Sequence, residues 1–147
     1  MNFRNLTLLT ILVLGLANTS YISSQTCKVK IGTQTNGCPI YTEVYEYDFV
    51  DEKPEFPGGG NQMIKFINST REYPQEAYET GIEGRVTCAF IVNSDGKISN
   101  IKVIRGVESS LNQEAIRIVS LMPDWQPGKL NHHPVPVRVI TCIPFRR

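Results

Sequence analysis

Arg85–Arg105, RVTCAFIVNSDGKISNIKVIR, decides how this chain folds. Val86, Cys88, Phe90 and Val92 alternate with more polar residues, the period of a strand with one buried face. Asn93-Ser94-Asp95-Gly96 is a turn sequence, and Lys97–Arg105 returns with Ile101 and Val103 inward, so the stretch predicts a β-hairpin. Upstream, Pro74 opens and Gly81 closes a two-turn helix over Pro74–Thr80. Further upstream, Asn61 is placed to cap a short helix whose Met63, Phe66 and Ile67 share a face. Downstream, Ser110 with Gln113 reads as a capping box. Leu111, Ala115, Ile118, Val119 and Met122 then follow helical spacing until Pro123 stops it. Trp125-Gln126-Pro127-Gly128 reads as a packed corner. Val135–Phe145 is a last strand with Val135, Val137, Val139, Ile143 and Phe145 on one side. The fold predicted is α+β: a three-stranded antiparallel-type sheet of hairpin and edge strand, with helices packed on one face and an N-terminal extension. A right-handed crossover carries the last strand beside the first member of the hairpin, leaving it at an edge.

The 147 residues have room for one domain and an extra segment. With 41% hydrophobic and 20% charged residues, a wholly disordered, collagen-like or polytopic membrane chain is excluded. The net charge of +1 excludes the large basic surface of a nucleic-acid binder. That total hides a split of +3 over Met1–Thr42, −7 over Glu43–Gly96 and +5 over Lys97–Arg147. The chain predicts no enzyme and no cofactor. Glu76, Glu79 and Glu83 have no histidine or nucleophile beside them in the pattern, and Asp95 is a turn residue. His132 and His133, next to Pro134, read as a polar turn rather than a metal site.

Residues 1–25 read as an address: Arg4 precedes the apolar run Leu6–Leu16, and Gly15-Leu16-Ala17 offers small residues for cleavage. The expectation is export, as a signal peptide or as a short membrane anchor. Residues 26–60 form an irregular extension with one aromatic strand, in which Tyr41, Tyr45, Tyr47 and Phe49 share a parity. Pro54, Pro57 and Gly58-Gly59-Gly60 end it with a bend. Residues 61–147 are the folded domain. Four cysteines suit an oxidising compartment, where Cys27 and Cys38 close a short loop. Cys88 and Cys142 fall on opposite parities of their strands, so a bridge between them is not expected.

An edge strand accepts an extended peptide by strand addition. Pro134, Pro136 and Pro144 share even parity, and proline has no N–H to give, so the prolines belong on the open side. Arg138, Ile140 and Cys142 are then the open-side residues, and Arg138–Cys142 (Arg138, Val139, Ile140, Thr141, Cys142) is the predicted docking window. The alternative is that the prolines only protect an edge from aggregation. The same edge would serve a homodimer.

Tyr73-Pro74-x-x-Ala77, Gly81-Ile82-x-Gly84-x-Val86, Phe90-x-Val92-x-x-Asp95-Gly96, Leu111-x-x-Glu114-Ala115, Met122-Pro123-x-Trp125-x-Pro127-Gly128 and Pro134-Val135-x-Val137 together resemble the TonB C-terminal domain family. Pro54-Glu-Phe-Pro-Gly-Gly59 resembles the Bacteroidetes version. The resemblance implies a periplasmic domain tethered to the inner membrane, where it meets a proton-driven motor. It also implies that the domain couples this energy to outer-membrane TonB-dependent transporters by binding their box peptide. The segment before Tyr73-Pro74, which some members use to grip the box, is Thr70-Arg71-Glu72 here, so Arg71, Glu72 and Tyr73 join the expected partner-binding residues. Arg71 and Arg85 either hold a partner carboxylate or balance the acidic middle. The family's energy transducers carry a transmembrane helix and a long Pro-rich linker, whereas this apolar run is short and no Pro-rich tract follows. The alternative function is a freestanding periplasmic binding or scaffolding module without a motor.

Overall fold

A computed structural model describes residues 26–33 and 39–147. The export segment and the proposed Cys27–Cys38 pairing lie outside what it describes. Contacts divide the chain into two units, with the boundary between Glu43 and Val44. In the first, β1 (Thr26–Thr33) neighbours β2 (Pro39–Glu46), whose residues from Val44 onward belong to the second. The second unit contains α1 (Gly59–Thr70), α2 (Gln75–Glu79), β3 (Gly84–Val92), β4 (Ile98–Arg105) and α3 (Ser109–Ser120), followed by β5 (Gly128–Leu130), β6 (His133–Val135) and β7 (Val137–Phe145).

The hairpin is present, with β3 and β4 antiparallel and Asn93–Gly96 as its turn. β7 lies antiparallel to β3 along its whole length, from Gly84 opposite Phe145 to Val92 opposite Val137. The sheet nevertheless departs from three antiparallel strands. The end of β2 adds a parallel strand on the far side of β7, so within this unit the order is β2-β7-β3-β4 and the sheet is mixed. Tyr45 faces Val137, Glu46 faces Arg138, and the Tyr45 N–H donates to the Pro136 carbonyl at 2.9 Å. The last strand is therefore not an edge along its full length.

Val86, Cys88, Phe90 and Val92 of β3 and Val139, Ile143 and Phe145 of β7 are buried in one cluster with Ile67 of α1, Ala77 of α2 and Leu111, Ala115, Ile118 and Val119 of α3. The helices thus cover one face of the sheet. Each fully buried phenylalanine, such as Phe90 or Phe145, contributes about 2–3 kcal/mol of apolar transfer.

Several local expectations give way to chemistry nearby. The aromatic strand stops at Glu46, Tyr47–Phe49 is a 3-10 turn, and Val44 rather than its tyrosine neighbours is fully buried. Phenol groups need a wet end, and valine does not. Helix α1 starts at Gly59, ahead of Asn61, because Gly58 takes φ 80° at the cap and the Gly59 N–H reaches the Phe56 carbonyl at 2.7 Å. Helix α3 is capped by Glu108, not Ser110: the Glu108 carboxylate accepts the Ser110 N–H at 2.8 Å and the Ser110 hydroxyl. Those bonds, the hydroxyl first, hold the Glu108 carboxyl below its ordinary pKa, and a carboxylate suits a helix N-terminus.

The predicted last strand is broken at Pro136. Val135 belongs to the β5–β6 hairpin, whose loop residues Asn131 and His132 take φ 50° and 66°, the primed turn geometry favoured in two-residue hairpins. The chain arriving from β2 is tied to this region, Glu52 bridging Lys129 and Glu55 bridging Gln126.

Candidate functional site: the outer margin of strand β7

In a strand, backbone groups point alternately to the two neighbours while side chains alternate between the two faces. Two observations assign the even residues of β7 to the side away from β3. The Pro136 carbonyl accepts from Tyr45, and the Pro144 carbonyl accepts from the Arg71 guanidinium. Between them lie Ile140 and Cys142, whose backbone N–H and C=O groups face outward without a partner among the described residues. Their side chains are exposed, Ile140 by 59%. The odd residues Val139 and Thr141 turn into the core, Thr141 as one of the few polar groups buried there.

The predicted window is thus split. Arg138 is occupied by β2: it pairs with Glu46 in the ladder, and its guanidinium lies 3.1 Å from the Glu46 carboxylate. Ile140 and Cys142 present the open margin, and Val139 and Thr141 support it from beneath. Of the upstream residues, only Arg71 reaches this margin. The Glu72 N–H donates to the Glu114 carboxylate at 2.8 Å, and the Tyr73 hydroxyl donates to the Ile82 carbonyl at 2.6 Å while its ring packs edge-on against Phe145 and Tyr78. Tyr73 is therefore a packing residue beside α2.

Two hollows flank the margin. A groove of about 890 Å³ touches Arg138–Thr141, with Phe56, Met63 and Trp125 as apolar lining and Glu46, Asp48, Asp51 and Glu55 among its charged residues. Trp125 packs edge-on against Phe56 and Phe90, at 5.7 and 5.5 Å between ring centres, which is the packed corner expected. Its indole N–H is buried with no partner among the described residues. A second hollow of about 430 Å³ lies at the other end, lined by Asn68, Arg71, Arg85, Cys142, Pro144 and Arg146. Sequence reading missed the β2 tip and Arg146 as parts of this site, and favoured a packed corner over a binding platform for Trp125, which both packs as that corner and lines the groove. The opposite charges of Glu46 and Arg138 were the one available hint, and they stand too far apart in sequence to be paired by pattern.

Cys88 and Cys142 are both free thiols. Burial, with a smaller contribution from Cys142, pushes the Cys88 thiol up to about 11. No group of three or more metal-ligating side chains occurs among the described residues. No helix among them is long and apolar enough to cross a membrane.

A family model for the Gram-negative bacterial TonB protein C-terminal matches residues 69–146, just over half of the chain. Protein TonB of Helicobacter pylori is 31% identical over 90 residues, covering 55% of this chain and 31% of that protein. Protein TonB of Pseudomonas aeruginosa is 39% identical over 54 residues, covering 37% of this chain and 15% of that protein. The chain thus spans less than a third of the length of these curated relatives. A solution structure of the H. pylori TonB C-terminal domain superposes with a TM-score of 0.44 at 27% identity, covering 58% of this chain and 90% of that one. The order of motifs, the helix-covered hairpin with its antiparallel partner strand, and the family match over 69–146 agree: this chain belongs to the TonB C-terminal domain family.

Proposed function

We propose that this protein works as the periplasmic domain of a TonB-like energy transducer. In this reading an extended box peptide of an outer-membrane transporter adds as a strand along the outer margin of β7, and force from an inner-membrane, proton-driven motor passes through it. The observation that carries the reading is the pair of outward-facing backbone positions at Ile140 and Cys142, set between a margin closed by Tyr45 at one end and by Arg71 at the other. Backbone pairing gives such a peptide affinity with little demand on its sequence, and the groove beside Trp125 receives alternate side chains. A strand held by ladder hydrogen bonds transmits tension along its own axis, which suits a mechanical coupler.

Titration of the 15N-labelled full chain with a transporter box peptide tests the docking. Amide shifts concentrated over Val139–Ile143 are expected. An Ile140→Pro variant, which removes an outward N–H, is expected to keep the melting transition and lose the binding. Unmoved Ile140 and Cys142 amides at saturating peptide, or full binding by Ile140→Pro, would reject this reading. Cell fractionation tests the tether: retention with the inner membrane is expected, and a wholly soluble periplasmic pool favours a freestanding module.

A further inference from the structure

Among the described residues, the one buried side-chain polar atom with no hydrogen-bond partner is the indole Nε1 of Trp125. A buried donor left unpaired costs free energy, so such a group calls for a reason. The ring is held in place, because Phe56 and Phe90 pack edge-on against it and its backbone N–H is tied to the Gly96 carbonyl. Trp125 lines the groove that touches Arg138–Thr141, together with Phe56, Met63, Val139 and Thr141. A strand added at Ile140 and Cys142 alternates its side chains between the two faces of the sheet. Every second one therefore falls on the face of Val139 and Thr141, the two β7 side chains that turn into the core. The carboxylates of the groove narrow the chemistry further. Glu46 lies 3.1 Å from Arg138, Asp48 lies 3.8 Å from Lys53, and Asp51 accepts the Asn131 N–H at 2.7 Å. The Glu55 carboxylate has no such partner among the described residues. Its backbone exchanges two hydrogen bonds with Gln126, at 2.8 and 3.1 Å, which sets it beside Trp125. The groove thus combines an apolar wall, an unpaired donor and an unpaired acceptor. A carboxylate entering it meets the charge of Glu55, lysine and arginine have no acceptor for the indole, and a hydrocarbon leaves the N–H unpaired. A carboxamide carries both an acceptor oxygen and N–H donors.

We propose that the strand docked on β7 places a Gln or Asn side chain in this groove, its amide oxygen accepting the Trp125 indole N–H and its NH2 group donating to Glu55. The proposal rests on strand addition at Ile140 and Cys142 and adds a specificity-determining residue to it. Backbone rungs accept almost any sequence, whereas a buried donor discriminates. A partner without the acceptor leaves the indole N–H dry and unpaired, and is rejected for that reason. Trp125 therefore both packs the corner under the hairpin and reads one side chain of the partner.

The test uses the full chain, whose single tryptophan gives a single indole cross-peak in a 15N NMR spectrum. Three end-capped octapeptides alternate threonine with valine, because β-branched residues favour extended backbone. In each, one central valine is replaced by glutamine, methionine or glutamate, side chains of similar length. At neutral pH all three are expected to shift the Ile140 and Cys142 amides. The glutamine peptide should bind about tenfold tighter than the methionine peptide, and tighter than the glutamate peptide. It alone is expected to move the indole cross-peak downfield and to slow its exchange with solvent. Trp125→Phe should bind the glutamine and methionine peptides alike. A melting curve checks that this variant folds, and the indole cross-peak of the parent decides by itself if it does not. Equal binding of the glutamine peptide and either of the others to the parent overturns the proposal while strand addition stands. An indole cross-peak unmoved at saturating glutamine peptide does the same. If no peptide shifts the Ile140 and Cys142 amides, strand addition falls and the proposal falls with it.

Discussion

Cys88 faces Thr141 across the β3–β7 ladder, and Cys142 faces Thr87 one step away, so the two thiols project from opposite faces of the sheet. A disulfide needs Cβ atoms about 4 Å apart and turned toward each other, which this register forbids. In the folded chain, iodoacetamide is expected to label Cys142 within minutes and to leave Cys88 unmodified until denaturant is added. Peptide mapping without reductant should show no Cys88–Cys142 linkage. Recovery of that linkage from native protein would contradict the register.

The same burial makes stability fall in alkali. The Cys88 thiol is raised to about 11 in the folded state, above its ordinary value of 9.0. Below pH 9 the thiol is neutral in both states and its contribution is fully present. Between about pH 9 and pH 11 the unfolded chain ionises while the folded one resists, so stability declines with rising pH and levels off above the folded value. Urea unfolding at pH 8 and pH 10.5 should show the decline, and Cys88→Ala should flatten it. An equal decline in the variant would place its cause elsewhere.

Gly96 is held under the Trp125 corner. It takes φ 85° in the hairpin turn, its carbonyl accepts the Trp125 N–H at 2.9 Å, and a Cβ there would lie 2.2 Å from the Trp125 carbonyl oxygen. Gly96→Ala is expected to cost on the order of 2 kcal/mol or more, because backbone rather than a flexible side chain must move. At Gly60, inside α1, an added methyl group would meet nothing within 4 Å. Gly60→Ala should therefore stabilise the helix by roughly 0.5–1 kcal/mol. Thermal melts of the two variants should move in opposite directions.

Glu114 ties α3 to the segment after α1 although it is only 8% exposed. Its carboxylate accepts the Glu72 N–H at 2.8 Å and two N–H groups of Arg117, at 2.7 and 2.8 Å. Arg117 also donates to the Thr70 carbonyl at 2.7 Å, and its bond with Glu114 raises its pKa above the ordinary value. Glu114→Ala strands these donors and is expected to cost about 3 kcal/mol, read from the urea midpoint. Glu114→Gln retains an acceptor and should cost less. A loss below about 1 kcal/mol in the alanine variant would mean that solvent replaces the carboxylate.

Short-range chemistry made much of this molecule legible. Alternation at Val86–Val92 and spacing at Leu111–Met122 follow from which side chains must leave water, and the predicted inward residues are those found in the core. Pro144 marked the stretch of β7 whose outer side lacks a neighbouring strand, because a missing N–H is tolerable there, but Pro136, of the same parity, sits where that side is closed by Tyr45 of β2. Boundaries were less secure wherever two groups offered the same service. Glu108 displaced Ser110 at the start of α3, and Gly58 displaced Asn61 at the start of α1.

The amino-acid order alone determined the hairpin, the helix after it, the antiparallel return of the last strand beside β3 and the family those motifs spell. Each is set by periodicity and turn residues that act over a few positions. Only the tertiary structure decided that Tyr45 and Glu46 close the first rungs of β7, leaving Ile140 and Cys142 as its open stretch. It alone decided that Arg71, Arg85 and Arg146 meet at one end. Those arrangements join residues many dozens of positions apart, and no local pattern records which of several solvent-tolerant groups the packed core will bring together.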